Sequence, residues 1–450
     1  MTDFQGGLRP DSAPLLPPIL EPDQSVQAYF QPVSLLEQAF ALTALFFHTG
    51  ALTCFVGPDN PLSIFKEISA YIGFAITLGL LAANLKDCAS TLSRDLLLWA
   101  LVLLALASPL WSDYLPETVQ NIIPLLRVTL FGVYFATRYS LRQQVQMVAL
   151  VLGVSAAASL VLAVALPFYG VMGHGLITNM EQVMHQGVWR GAFIHRTMLG
   201  VMMVLCILSS LFCVLQHYRQ RFIVLLGLGL ATFLLMMSMA KAAPVILVLV
   251  LALIPFFKAV RWNDAIAIPF FTTAVVILGI TLVLTITNYE FLLQSLGRDP
   301  TFTGRTNYWP LMLDKLWERP WFGYGYNAFW IGGWKGEVAD IWRYLRPGDE
   351  PPHPHNGFLF MWFNIGLVGL SVFAAHWLSV FWRSLQWLRQ VPTLEGFVPI
   401  VYFTLILFLN FTETLLMFPD ILWLLYVSFS LSMSKWGTRE VAWNPEPELG

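Results

Sequence analysis

Twelve apolar runs govern this chain, at about 35–56, 62–83, 96–110, 119–137, 143–168, 194–215, 222–239, 243–260, 264–287, 356–381, 397–411 and 414–434, each bounded by proline, glycine or charge. An α-helix rises about 1.5 Å per residue, so a hydrocarbon core about 30 Å thick is crossed by roughly 20 apolar residues. The pattern predicts an all-α, polytopic integral membrane protein with about 12 transmembrane helices. The third and eleventh runs are short, and 397–434 admits a different split around Glu413. Only 12% of the residues are charged, against about 25% in an ordinary soluble domain, which excludes a water-soluble globule. With 25 Lys and Arg against 27 Asp and Glu, no global basic field exists for nucleic acid.

Sidedness follows from the cations, because short loops rich in Lys and Arg stay cytoplasmic. With the N-terminus inside, the inward connections are 84–95 (Lys86, Arg94), 138–142 (Arg138, Arg142), 216–221 (Arg219, Arg221), 258–263 (Lys258, Arg261), 382–396 (Arg383, Arg389) and 435–450 (Lys435, Arg439). The opposite short connections 57–61, 111–118 and 412–413 carry no basic residue. Both termini are therefore expected in the cytoplasm.

Residues 1–33 hold Pro10, Pro14, Pro17, Pro18, Pro22 and Pro32 but a single basic residue, Arg9, and no long apolar stretch. They read as a disordered cytoplasmic tail rather than a signal peptide. The rest divides into one membrane domain over 34–435 and a cytoplasmic tail over 436–450, with no internal repeat. Cys54, Cys88, Cys206 and Cys213 show no disulfide spacing and are expected to pack.

Two outward segments are long and polar, about 169–193 and 288–355, and long loops in compact proteins usually carry function. In the larger, the apolar residues Trp309, Leu313, Leu316 and Trp317 recur at helical spacing, closed by Arg319-Pro320. The spacing predicts an amphipathic helix of about fourteen residues, capped by Thr303 or Thr306, lying on the membrane surface with Trp309 and Trp317 in the interface. Arg305 falls at its N-terminal end, where free N–H groups and the helix dipole favour an anion, and a guanidinium adds a bidentate phosphate ligand. The plain alternative is a solvated loop arginine. The aromatic turn Trp321 to Phe329 reads either as a platform for sugar faces or as an interfacial belt.

The loop closes with His353-Pro354-His355-Asn356-Gly357, immediately before an apolar run. A neutral histidine at the membrane edge can take a proton from a hydroxyl, with Asn356 to orient it. His-x-His also suggests a metal, but no carboxylate or cysteine stands at ligating spacing, so no metal is assigned. On the other outward segment, Arg190 and Arg196 sit at the start of the sixth run, where arginine is costly unless it meets a phosphate, a carboxylate or water. Lys241 lies at the outer tip between the seventh and eighth runs and serves either to snorkel or to contact phosphate. Arg127, inside the fourth run, pairs with Glu67, with a helix C-terminus or with an unassigned group.

The sequence lacks Asp-x-Asp, a Walker loop, Gly-x-Ser-x-Gly and His-Glu-x-x-His. Metal-dependent nucleotide-sugar transfer, ATP-driven transport, serine hydrolysis and zinc proteolysis are unsupported. A flippase or transporter for a lipid-linked oligosaccharide is the second hypothesis. It predicts ionisable residues deep in the membrane, often in paired halves, whereas only Arg127 is deep. A structural membrane scaffold is the third.

TGRTNYWPLMLDKLWERPWFGYGYNAF (303–329), HPHNGFLFMWFNIGLVGL (353–370) and RGAFIHRTMLG (190–200) together resemble the O-antigen ligase and Wzy-type polymerase family. The family shows a Gly-Arg-x-x-x-Trp helix, an Arg-Pro-x-x-Gly-x-Gly turn and a His-Asn span, and an Arg-x-Gly-x-Phe segment entering another span. Thr197 stands where the family usually has Asn, and Ala240-Lys241-Ala242 where it often has Ser-Arg-Gly. The resemblance covers roughly 185–435. It implies a GT-C-like inverting glycosyltransferase of the bacterial inner membrane, without metal or other cofactor, working on the periplasmic face. Its donor would be an undecaprenyl-diphosphate-linked glycan and its acceptor a lipid-linked repeat or a lipid A core, with membrane lipids as the remaining partners. On that reading Arg305 and Arg190 hold the diphosphate, Arg196 and Lys241 assist, and His355 is the base, with His353, Asn356 and Trp309 in support.

Overall fold

The computed structural model describes residues 33–55, 62–93, 95–174, 185–216, 221–262, 305–331, 336–344 and 354–436, of which 62–63, 305–308, 342–344 and 434–436 are described by backbone alone. Among the described residues the chain is helical, apart from an isolated bridge between Val171 and Trp189. The helices are α1 (Leu35–His48), α2 (Leu62–Ala83), α3 (Leu85–Leu92), α4 (Leu96–Ala107), α5 (Leu115–Arg138), α6 (Leu141–Ala165), α7 (Arg196–Leu215), α8 (Arg221–Met237), α9 (Ala242–Trp262), α10 (Arg305–Glu318), α11 (Ala339–Tyr344), α12 (Gly357–Gln390), α13 (Val398–Leu409) and α14 (Ile421–Trp436), with a single turn at Pro167–Gly170.

Six of these, α2, α5, α6, α7, α9 and α12, are long and apolar enough to cross a membrane; α3 and the stretch Leu96–Leu110 form a pair bent by 95°, which counts as a seventh only if the pair is one span, and α1, α8, α13 and α14 are shorter apolar helices. The run at 264–287 lies outside the described residues, as do His353 and most of the tails. One helix was not foreseen. The connection at 84–95 contains α3, which buries Cys88 and Thr91 and exposes Lys86, Asp87 and Ser90.

Within lipid, helices gain little from hydrophobic association, so polar contacts and close packing must hold them together. They do so here at one end of the bundle. Arg138 at the end of α5 donates to both carboxylate oxygens of Glu37 in α1, at 2.8 and 3.0 Å. Asp95, which caps α4, accepts from Arg383 at 2.7 Å and Ser430 at 2.6 Å, and lies 3.1 Å from His376, whose other nitrogen is 2.8 Å from the Tyr426 hydroxyl. That cluster joins α4, α12 and α14. Gln144 of α6 likewise donates to Ser432 and accepts from Ser428, both on α14.

The opposite end carries the loops. Residues 319–325 are held by a break in α12, where Gly366 adopts φ 70° and ψ −172°. The N–H groups of Leu367 and Val368, freed by the break, donate to Pro320 and Trp321 carbonyls at 2.8 and 3.1 Å, while the Tyr324 N–H donates to the Phe363 carbonyl at 2.7 Å. A Cβ at Gly366 would stand 2.0 Å from the Trp321 carbonyl oxygen, and one at Gly323 would stand 2.4 Å from that of Phe363. Only glycine fits this interlock.

Candidate functional site

His355 sits on a tight turn immediately before α12. It has φ +48°, a left-handed conformation that costs a non-glycine residue of order 1–3 kcal/mol and persists only where the surroundings impose it. Two contacts impose it. The carbonyl of Pro354 accepts from the Trp309 indole at 3.1 Å, and the Gly357 N–H donates to the Asn410 carbonyl at 2.8 Å. A Cβ at Gly357 would meet the Asn410 side chain at 2.1 Å, so this turn is pressed against the end of α13. Asn356 caps α12, its Oδ1 accepting from the N–H groups of Phe358 and Leu359 at 3.0 Å each. Its Oδ1 is therefore committed to the helix.

The carboxylate beside the imidazole is Glu413. Its Oε2 lies 3.6 Å from His355 Nδ1, and the two side chains are 16% and 29% exposed. That separation is an ion-pair distance, longer than a hydrogen bond, and it places a carboxylate on the Nδ1 side of the ring with Nε2 on the other. Sequence reasoning passed over Glu413 because its partner is 58 positions away. The available signal was a carboxylate in an outward turn that otherwise carries no charge.

Trp309 places Arg305 relative to this turn. The two residues are one helical turn apart on α10, so the Trp309–Pro354 bond sets the start of α10 beside the His355 turn. Thr306 lies inside the first turn of α10 and Thr303 outside the described residues, so neither is seen as a cap. The face that this helix buries differs from the one its apolar spacing selects. The helix buries Met312 and Leu316 completely against Tyr324, Phe329, Val338, Ile341 and Phe363, and leaves Trp317 63% exposed. This small satellite core, built on residues from the aromatic turn and α12, rotates α10 away from the face that periodicity alone selects. Phe329 stacks on Phe363 at 4.1 Å and Tyr324 packs edge-on against Phe329. Those rings are packing residues, while Trp321 and Phe322 remain exposed.

Lys315 bonds Glu318, Glu337 and Asp340 at 2.8–3.2 Å and is thereby neutralised. Desolvation opposes its charge, but the three carboxylates outweigh it and raise its pKa. Arg319 bonds Asp113 at 2.6 Å across to the turn before α5 and lies 4.9 Å from the Tyr324 ring centroid. Neither cation of the loop core is spare.

The remaining cations cluster around a second group of turns. Arg190 donates from Nε to the Tyr169 carbonyl at 2.7 Å, and Gly191, at φ +58°, packs on Ser159. Burial lowers the Arg190 pKa, with the Cys54 thiol close enough to oppose the shift; a guanidinium nevertheless stays charged. Arg196 opens α7, donates to the Met239 carbonyl at 2.8 Å and lies 3.2 Å from His185. Lys241, two residues beyond Met239, is exposed. Thus Arg190, Arg196 and Lys241 share one set of turns, and His355, Glu413, Asn356, Trp309 and the start of α10 another. Asp420, the cap of α14, was also missed. Burial raises its carboxyl to about 7 against the opposing N–H bonds of Trp423 and Leu422, and its Oδ2 is enclosed without a partner.

The model of the O-antigen ligase family matches residues 204–374. That stretch contains Lys241, Arg305 and His355, and Arg190 and Arg196 lie just before it. The exopolysaccharide production protein ExoQ of Rhizobium meliloti (strain 1021) is 30% identical over 98 residues, a match covering 22% of this chain and 22% of that protein. Both findings bear out the resemblance drawn from the motifs.

Proposed function

We propose that this chain transfers a glycan from an undecaprenyl-diphosphate-linked oligosaccharide to a hydroxyl of a glycan acceptor, on the extracytoplasmic face of the bacterial inner membrane, so extending or ligating a surface polysaccharide. The observation that carries this reading is the His355–Glu413 pair on a turn that Trp309 ties to the arginine-bearing start of α10. The family match and the similarity to an exopolysaccharide production protein support the same chemistry.

The acceptor O–H gives its proton to His355 Nε2 as the oxygen attacks the anomeric carbon. The bond from that carbon to the diphosphate oxygen breaks, and its electron pair stays on the departing undecaprenyl diphosphate. One displacement inverts the anomeric configuration. Arg305 from the one set of turns and Arg190 from the other stabilise the charge developing on the diphosphate, with Arg196 and Lys241 on the same turns as Arg190, which gives the leaving group its counter-charge without a metal. Glu413 holds the imidazole and stabilises its protonated form.

Purified protein supplied with lipid-linked repeats should produce a ladder of longer glycans. Arg305→Ala should slow it roughly a hundredfold, the equivalent of about 3 kcal/mol. An undiminished ladder from Arg305→Ala and His355→Ala would remove the site assignment. Lipid-linked single repeats accumulating on deletion of the protein indicate a polymerase, and full-length chains a ligase.

A further inference from the structure

Arg127 lies in the membrane-embedded part of α5 and has no part in the mechanism above. The Glu37–Arg138 ion pair sets the register of α1 against α5. His48 and Arg127 each lie eleven residues, about 16 Å, from that pair, so α1 ends at the depth of Arg127. Consistently, the His48 ring packs 5.2 Å from Phe131 and feels the Arg127 charge. Toward the loop end, Asn121 is six residues, about 9 Å, from Arg127, and the stretch from Leu115 to Asn121 carries Glu117, Gln120 and Asn121. Arg127 is thus two turns below the polar end of α5, beside the point where α1 stops.

Its partners are few. The guanidinium carbon is 5.1 Å from the Tyr71 ring centroid on α2, and Glu67 acts on it only through space. Among the described residues Arg127 makes no side-chain hydrogen bond, and its Nη1 is enclosed without an acceptor. A ring face balances charge but accepts none of the in-plane N–H groups. An arginine so placed in lipid is expected to meet an anion. The turn that follows α1 leads to the second observation. It carries Cys54, on which Arg190 acts electrostatically, and Phe55, which packs 4.6 Å from Tyr169, the residue whose carbonyl Arg190 bonds. Residues 48–55 therefore have Arg127 at one end and Arg190 at the other.

We infer that Arg127 is an anion-binding residue for the phosphate of a membrane-anchored lipid, placed beside the shortened α1 and along the turn from Arg190. This deepens the lipid-diphosphate reading above and rests on it. The two sources of such a phosphate are the donor's diphosphate and an ordinary anionic phospholipid.

The test is native mass spectrometry of the full-length protein with undecaprenyl diphosphate, dioleoylphosphatidylglycerol or undecaprenol. Arg127→Gln should lower the fraction carrying a phosphate lipid about tenfold and leave undecaprenol unchanged. Loss of the undecaprenyl diphosphate adduct alone identifies the donor, and loss of both identifies any anionic lipid. A folded Arg127→Gln protein that retains both phosphate lipids at wild-type levels overturns the inference. Should that variant not fold, Ile68→benzoylphenylalanine, on the exposed face of α2 one turn from Tyr71, serves with Arg127 intact. Illumination should then capture undecaprenyl diphosphate or phosphatidylglycerol in several-fold preference to undecaprenol, and equal capture of all three overturns it. Adducts are scored without turnover, so this outcome is independent of whether a glycan ladder forms.

Discussion

At the scale of single residues, the site divides into groups that act and groups that hold them. His355→Ala should abolish transfer, whereas Glu413→Gln, which keeps the shape but loses the charge that stabilises imidazolium, should slow it about tenfold to a hundredfold. Rate measurements on the purified protein at saturating donor separate the two. Asp420 makes a different prediction. Its carboxyl binds its proton more tightly in the folded protein, near 7, than in the unfolded chain, near 3.8. The folded state therefore holds more protons between those values, and stability falls as pH rises from about 4 to 7. Asp420→Asn keeps an oxygen for the Leu422 and Trp423 N–H groups and should flatten that slope, read from melting temperatures at pH 5 and pH 8. His355 and the arginines stand out in the sequence as candidates because their residue types are conspicuous beside apolar runs. Glu413 and Asp420 do not stand out there, because what they touch depends on which turn is folded against them.

At the scale of elements, the interlock between residues 319–325 and the break in α12 makes the sharpest prediction. Gly366→Ala adds a Cβ at 2.0 Å from a backbone oxygen and forces alanine to a positive φ. It should cost more than about 3 kcal/mol and expose the 319–331 segment to protease well below the wild-type melting temperature. The Asp95 cluster predicts a comparable loss at the other end. Asp95→Ala leaves Arg383 and the buried His376 without their carboxylate, and should destabilise by about 3–5 kcal/mol, measured by thermal denaturation in detergent. Hydropathy located most of the helices because burial in lipid acts on every residue of a span. It did not locate α3, whose amphipathic pattern spans only two turns, nor the face that α10 buries, which Phe363 and Phe329 decide from elsewhere in the chain.

At the scale of the whole molecule, the loops that bear His355, Glu413, Arg319 and Asp113 gather at one end of the bundle, and the Glu37–Arg138 and Asp95–Arg383 pairs lie at the other. The distribution of cations predicts that the first end faces outward. A reporter inserted within 290–300 or 345–350 should be active only outside the cytoplasm, and one fused after residue 440 only inside; the reverse pattern would reverse the site's sidedness. The Gly366 break has an evolutionary corollary. Since a stretch of loop completes the hydrogen bonding of a membrane span, the two must be inherited together. Chimeras that exchange the loop between relatives should function only when the matching segment of α12 travels with it.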